Sequence, residues 1–197
     1  MPHELTTERL LLRQWRNEDR DPWAAMCADH EVMQFLSSDR DRATSDLAVD
    51  RWSARIVDQG WSFWAVELKH TGEFIGMAGL QVPAAPHPYL PCTEIGWRLA
   101  RAHWGQGYAS EAARRVLSFA FSELKLREVL ASTAVGNLRS SAVMRRIGMS
   151  GPEASFFHPG VLEGNHLRQH VLYRISSASR QPLGDADSPP GLPAAPA

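Results

Sequence analysis

The residues best suited to chemistry in this chain form one uninterrupted run, Ala102-His103-Trp104-Gly105-Gln106-Gly107-Tyr108-Ala109-Ser110, set between a strand-like and a helix-like segment. A helix that begins at the end of such a run offers several unpaired backbone N–H groups and roughly half a positive charge. Glycines and a small alanine let those donors approach an anion with no side chain in between. A pyrophosphate is the natural occupant. A tight structural turn is the competing reading of the glycines, because Gly-x-Gly also arises where nothing is bound. Two other phosphate cradles are excluded. No Gly-Lys-Ser/Thr closes a P-loop, and a dinucleotide fingerprint would need a third glycine where Ser110 stands and an acidic residue after a following strand.

Other reactive side chains are sparse. The two cysteines, Cys27 and Cys92, are too few for a disulfide framework or a metal cluster and point to a reducing compartment. Of the eight histidines, His103 lies in the glycine run within reach of a phosphate, and His158, His166 and His170 gather towards the C-terminal end. None has metal-ligand spacing with other ligands, so no metal is expected and ordinary structural histidines are the default. The formal net charge of −1 argues against a nucleic-acid-binding surface covering the protein. The charged N-terminus does not read as a signal peptide, and no apolar run approaches the ~18 residues that span a bilayer. A cytoplasmic protein with no membrane partner is the expectation.

The elements that must position the glycine run alternate in period. Leu10 to Trp15 reads as a first strand, Glu18 to Ala28 and Thr44 to Asp58 as two helices, the second stopped by Gly60. Ser62 to Leu68 and Phe74 to Val82 flank a polar turn at Lys69-His70-Thr71-Gly72-Glu73. A proline-rich loop from Val82 to Pro91 leads to a strand at Thr93 to Leu99. After the glycine run, Ala113, Val116, Leu117, Ala120, Phe121 and Leu124 recur on one helical face. Val129 to Val135 is a strand, Ser140 to Arg146 a short helix, and Phe156-Phe157 and His170 to Ile175 two last strands. Trp15, Trp61, Trp64 and Trp97 lie on or beside strands, most of them as core and one or two as walls of an acceptor pocket. Residues 1–175 read as one domain. The stretch 176–197, rich in Ser, Pro, Gly, Ala and Asp, reads as a flexible tail that cannot bury enough surface to order itself.

Two blocks carry a family resemblance. Glu94-Ile95-Gly96-Trp97-Arg98-Leu99 followed by Trp104-Gly105-Gln106-Gly107-Tyr108-Ala109-Ser110-Glu111-Ala112 resembles the signature of the GNAT acyltransferase superfamily, whose loop is written Q/R-x-x-G-x-G/A. Gly107 and Ala109 match its last two fixed positions. Trp104 replaces the usual Gln or Arg, as in the branch that resembles ribosomal-protein-alanine acetyltransferases (RimJ/RimL-like). The block from Asn137 to Met149 is similar to that branch's N-x-x-S-x-x-V run, with Met149 in place of Phe. Thr7 to Arg13 is similar to its first strand.

The resemblance implies an α/β (mixed α+β) fold: a single domain with a mostly antiparallel sheet of about seven strands, a splayed central pair and helices on its faces. It implies an acyltransferase that uses acetyl-CoA as cosubstrate, without metal. The acetyl group passes directly to a primary amine: a protein N-terminus by preference, otherwise a small molecule such as an antibiotic or polyamine. The strand around Trp97, Arg98 and Leu99 would pair with the pantetheine arm, and Trp104, Gly105, Gln106, Gly107, Tyr108, Ala109 and Ser110 would hold the pyrophosphate. Asn137 would hydrogen-bond the pantetheine, against the alternative of a strand-end or helix-cap asparagine. Glu94 would be the general base, against an exposed strand residue paired with an arginine. Ser140 would protonate the leaving sulfur, against a plain helix N-cap. A homodimer is compatible with the branch, and a non-catalytic acyl-CoA-binding module is the alternative to an enzyme.

Overall fold

A computed structural model describes residues 4–36, 41–84 and 86–179. Its strands and helices follow one another as β1 (Leu5–Thr6), β2 (Leu10–Arg13), α1 (Arg20–Ala28), α2 (Arg42–Gln59), β3 (Phe63–Leu68), β4 (Phe74–Gln81) and β5 (Glu94–Leu99). They continue as α3 (Tyr108–Ser122), β6 (Glu128–Ala134), α4 (Leu138–Arg146), β7 (Ser150–Phe157) and β8 (Gln169–Ser176). Among the described residues the strands form one sheet ordered β1-β2-β3-β4-β5-β6-β8-β7. Every neighbouring pair is antiparallel except β5 with β6.

Eight strands stand where about seven are expected. The extra one, β1, has two residues paired with Leu11 and Leu12, too short to show a period. The edge strand β7 starts at Ser150, earlier than Phe156, and is exposed along most of its length, so it lacks an apolar alternation. Helix boundaries follow their caps. Asp41 Oδ1 accepts the Thr44 N–H at 2.7 Å and starts α2, and Gly60, at φ 86°, ends it in the left-handed conformation that glycine adopts without strain. β8 runs through Ser176 and a single turn follows to Ser179; the remainder of the expected tail lies outside the described residues.

Side chains alternate across a strand, and β3 shows what each face meets. Phe63 packs edge-on against Trp52 of α2, and its neighbour Trp64 packs against Phe119 of α3. α2 and α3 therefore cover opposite faces. Trp15, Trp23, Trp52 and Phe74 form an aromatic cluster on the α1–α2 side. Of the stripe expected on α3, Ala113, Val116, Leu117 and Ala120 are buried; Phe121 is half-buried, and Leu124 lies past the end of the helix at Ser122, also half-buried. Arg13, Asp19 and Glu67 are also buried: Arg13 grips both oxygens of Asp19, at 2.7 and 2.9 Å, and donates through Nε to Glu67 at 2.6 Å. Among the described residues no helix is long and apolar enough to cross a membrane.

Candidate active site

The site begins where the sheet opens. The parallel strands β5 and β6 share one pairing, Glu94 with Leu130, and the Leu130 N–H donates to the Thr93 carbonyl at 2.9 Å. Beyond it the ladder stops and the strands diverge. Backbone groups point alternately to the two sides of a strand. Ala100 N–H bonds Ile75 on the β4 side at 2.9 Å, so the even-numbered residues serve β4 and those of Ile95, Trp97 and Leu99 face the gap. The Leu99 carbonyl takes the Trp104 indole N–H at 2.8 Å. Trp97 N–H and C=O and the Leu99 N–H are left for an extended amide chain, which is what a pantetheine arm would present.

Arg98 does not belong with them. Its backbone serves β4, and its side chain turns under α1. There Nη1 donates to Cys27 Sγ at 3.3 Å and the guanidinium lies 4.8 Å from the Trp23 ring centre. Burial lowers the Arg98 pKa and raises that of Cys27, so the thiol there is neutral.

The glycine run forms an open cradle. Gly105 and Gly107 have φ of 75° and 84°, where an L side chain is strained. A Cβ at Gly105 would meet nothing within 4 Å, and one at Gly107 only the Arg9 guanidinium at 3.5 Å. Gly107 is the N-cap of α3 and brings no side-chain cap. The N–H groups of Tyr108, Ala109 and Ser110 therefore have no partner within the helix. Donors, open space and helix dipole together fit a pyrophosphate. The side chains have other work. Ser110 Oγ is buried and accepts from Arg146 at 3.3 Å, and Gln106 Nε2 donates to the Ala102 carbonyl at 3.2 Å. The Tyr108 ring lies under Arg9 at 4.5 Å and the Trp104 ring under Arg139 at 4.1 Å. His103 pairs with Glu73 at 3.1 Å, its ring 6.4 Å from that of Tyr108.

Arg9 escaped the sequence reading. It donates through Nη1 to the Gln106 carbonyl at 3.1 Å and is held by Glu111 through Nε at 2.7 Å, so it braces the cradle and adds positive charge beside it. A partner 102 residues away leaves no local pattern to find.

At the foot of the gap Glu94 is buried, and among the described residues its partners are His87, Ser132 and Gln81 rather than an arginine, which overturns the exposed ion-pair alternative. Ser132 Oγ donates to its Oε1 at 3.2 Å. Burial pushes the Glu94 carboxyl up; charge on His87 and hydrogen bonds from Ser132 and Gln81 pull it partly back. His87, from the proline-rich loop, has its Nε2 3.5 Å from Glu94 Oε1. His87 packs against Tyr89, Phe156 and His158, and His170 stacks on His158 at 4.7 Å. Burial and the neighbouring histidines hold His158 down at about 4; burial also lowers His170. His158 and His170 are thus part of one cluster with Glu94 rather than ordinary surface histidines. A lone His87 in a proline-rich loop carried no signal of this in the sequence. Among the described residues no group of three or more His, Cys, Asp or Glu has the geometry to hold a metal.

Asn137 and Ser140 sit together at the start of α4, across the gap from β5. Asn137 is the N-cap: its Oδ1 accepts the Ser140 N–H at 3.2 Å, and its Nδ2 donates to Thr133 Oγ1 at 2.9 Å and to Ser140 Oγ at 3.2 Å. The cap expected at Ser140 is thus two elements of one motif: Asn137 caps, and Ser140 is the third residue of the helix, its hydroxyl half-buried.

This architecture, a parallel pair splayed beside an uncapped glycine-led helix, is that of an acyl-CoA N-acyltransferase. Residues 9–150 match the Acetyltransferase (GNAT) domain family, and the chain belongs to it. An uncharacterised Bacillus subtilis protein, YkkB, is 36% identical over 150 residues, 74% of this chain and 84% of its own. The Aspergillus fumigatus protein named FsC-acetyl coenzyme A-N(2)-transacetylase is 34% identical over 173 residues, 81% of this chain and 72% of its own. Mycobacterium smegmatis RimJ, solved in complex with CoA-disulfide, superposes with a TM-score of 0.72 at 21% identity, covering 90% of this chain and 88% of that one. The chain is a GNAT N-acetyltransferase that uses acetyl-CoA.

Proposed function

We propose that this enzyme, acting in the cytoplasm, acetylates an α-amino group, by preference that of a protein N-terminus as in the RimJ/RimL-like branch. Glu94 serves as general base and Ser140 as proton donor to the departing sulfur. The observation that carries the reading is the buried Glu94 carboxylate at the foot of the β5–β6 gap, on the same strand as the backbone groups of Trp97 and Leu99. An α-amine has a pKa of ~7.7–8.0 against ~10.4 for a lysine-type amine, so at pH 7 ~9–17% of it is already uncharged, compared with ~0.04%. One carboxylate with a raised pKa suits that modest task. A polyamine brings several positive charges, whereas the carboxylate that meets this histidine cluster among the described residues is Glu94, beside His87, with His158 and His170 held neutral by burial. The second reading, the α-amine of a small molecule, is supported by the relative named an N(2)-transacetylase.

In this scheme Trp97 and Leu99 orient the thioester arm, the 105–110 cradle anchors the phosphates, and a backbone N–H in β5 steadies the developing oxyanion. Asn137 holds Ser140 at 3.2 Å and so sets the hydroxyl at the mouth of the gap. The first test is thermal unfolding with acetyl-CoA, CoA, ATP and NADH. A ligand at 100 times its Kd stabilises by ~2.7 kcal/mol, and the shift is expected with the two CoA species alone. An acceptor panel of alanine-initiated peptide, ornithine and spermidine follows. Preferred turnover of spermidine would sink the α-amine reading.

A further inference from the structure

The imidazole of His87 is the least satisfied polar group near the site. Its side chain is 2% exposed, yet neither ring nitrogen has a hydrogen-bond partner among the described residues. Nε2 stands 3.5 Å from Glu94 Oε1, near enough for charge to be felt but not aligned as a hydrogen bond. Leaving a buried donor and acceptor both unmade costs ~1–3 kcal/mol each, which a ring placed only for packing would not incur. On its other side the same ring lines a cleft of about 400 Å³ bounded by Pro86, Pro88, Phe156, Phe157 and Pro159. His87 thus stands between the carboxylate and an opening to solvent.

We propose that His87 is a positioning residue that works through Glu94, taking the proton that Glu94 removes from the acceptor amine and handing it to water in this cleft. The inference rests on the reading of Glu94 as base. The protons balance in three steps. The ammonium of the acceptor gives H⁺ to the Glu94 carboxylate, leaving a neutral amine and a carboxylic acid. The acid passes that proton to the free ring nitrogen of His87, restoring the carboxylate. Imidazolium then releases it to water, and no electrons change hands. The groups facing the pair suit this traffic. Ser132 from β6 and Gln81 from β4 hydrogen-bond Glu94 and do not titrate near neutral pH. Tyr89 from the loop and Phe156 from β7 wall the ring in. His158, after β7, and His170, on β8, are kept neutral by burial, so they do not trap the proton on its way out. Cys92 is held up to about 11 by burial and by the Glu94 and Glu128 charges and stays a thiol.

The test has one arm that needs no acceptor. The Glu94 carboxyl is followed by ¹³C NMR against pH in the full chain and in His87→Gln. Charge on His87 lowers the Glu94 midpoint, so its loss is expected to move that midpoint up; an unchanged curve overturns the proposal. The kinetic arm uses acetyl-CoA with the alanine-initiated peptide, ornithine and spermidine. His87→Gln is expected to lose ~10²-fold in kcat with the KM for acetyl-CoA unchanged, and the acid limb of its rate profile should move to higher pH. Free imidazole should restore part of the rate to His87→Ala, which a packing role would not allow. A kcat within about twofold of the parent in His87→Gln, with melting preserved, overturns the relay. If none of the three amines is turned over by the parent, the acceptor reading above falls, and the titration alone decides the role of His87.

Discussion

Two buried charged clusters lie in this sheet, and they are built on opposite rules. In the first, every guanidinium nitrogen of Arg13 has a partner: Asp19 takes two of its donors, Glu67 a third and the Gln14 carbonyl a fourth, while Asp19 also accepts the Arg16 N–H at 2.7 Å. In the second, around Glu94, the polar atoms outnumber their partners: both nitrogens of His87 are orphaned and Glu94 receives Ser132 at 3.2 Å. Burial disfavours charge in both places, but the first cluster offsets it internally and the second leaves it open. A network that is complete can only hold the fold together. One that is incomplete has room for a substrate or a proton. Arg98 belongs with the second kind: its Nε is buried without a partner, and the neutral Cys27 thiol answers none of its charge.

The sharpest way to separate the clusters is Glu94→Gln. The amide keeps the shape and removes the base, so kcat is expected to fall ~10²–10⁴-fold, equivalent to ~2.7–5.4 kcal/mol, with the KM for acetyl-CoA unaltered. Stability should move the other way. A carboxyl whose folded pKa lies above its unfolded value of ~4.3 favours folding in its protonated form, and that advantage is lost as pH rises through the raised folded value. Glu94→Gln, neutral throughout, should therefore melt higher than the parent at neutral pH, and the difference should vanish below ~4.3. A variant that is inactive and also less stable at pH 7 would mean that Glu94 is structural.

Asp19→Ala is the converse experiment. It takes two acceptors from the buried Arg13 guanidinium and leaves Glu67 as its one carboxylate partner, so it is expected to cost ~3 kcal/mol in denaturant unfolding, with kcat and KM of the surviving fold unchanged. Replacing Arg13, Asp19 and Glu67 together by apolar residues of similar volume should cost less, because no buried donor is then left without its acceptor. A kinetic defect in Asp19→Ala would break the division between the clusters.

How much of this was legible in the sequence follows the range of the interactions. Local period and caps foretold the order of elements, four of the six stripe residues of α3 and the glycine loop that opens this helix, since each depends on residues within a few positions. β1 and most of β7 were missed because two residues carry no period and an exposed edge strand need not alternate. Of the site, the backbone roles of Trp97 and Leu99 followed from the resemblance and fit the splayed ladder. Arg9 and His87 were not legible: Arg9 meets Glu111 102 residues away, and His87 meets Phe156 and His158 only once β7 and β8 close beside the loop. Arg98 was misplaced because a motif names residues without saying which face of the strand a side chain takes.

The cradle gives an intermediate effect that is local to the cofactor side. At Gly107, φ 84° makes any L residue strained, and a Cβ would meet only Arg9 at 3.5 Å. Gly107→Ala should therefore cost ~1–2 kcal/mol of stability through backbone strain rather than collision. Its amides should lose register with the phosphates, so the Kd for CoA should rise in calorimetry while the Glu94 titration stays where it is. A wild-type CoA affinity in Gly107→Ala would remove the anion role from this end of α3.

The smallest effects separate Asn137 from Ser140. Asn137 caps α4 through Ser140 N–H and also fixes the Ser140 hydroxyl and Thr133, so Asn137→Ala should lose ~1 kcal/mol of stability for the cap and a moderate fraction of kcat. Asn137→Asp keeps an acceptor for the cap but loses the amide donor to the Ser140 and Thr133 hydroxyls. It should recover the stability and not the rate. Ser140→Ala leaves the backbone N–H in place, so the helix should melt within ~0.5 kcal/mol of the parent. Its effect on kcat should be well below that of Glu94→Gln, because a thiol of pKa ~8.5 leaves readily as thiolate and needs an acid less than the amine needs a base. That difference should narrow at high pH, where the departing thiolate needs no proton. If Ser140→Ala instead matched Glu94→Gln in rate loss at every pH, the hydroxyl would be orienting the thioester rather than protonating it, and Asn137 would be its anchor in that role too.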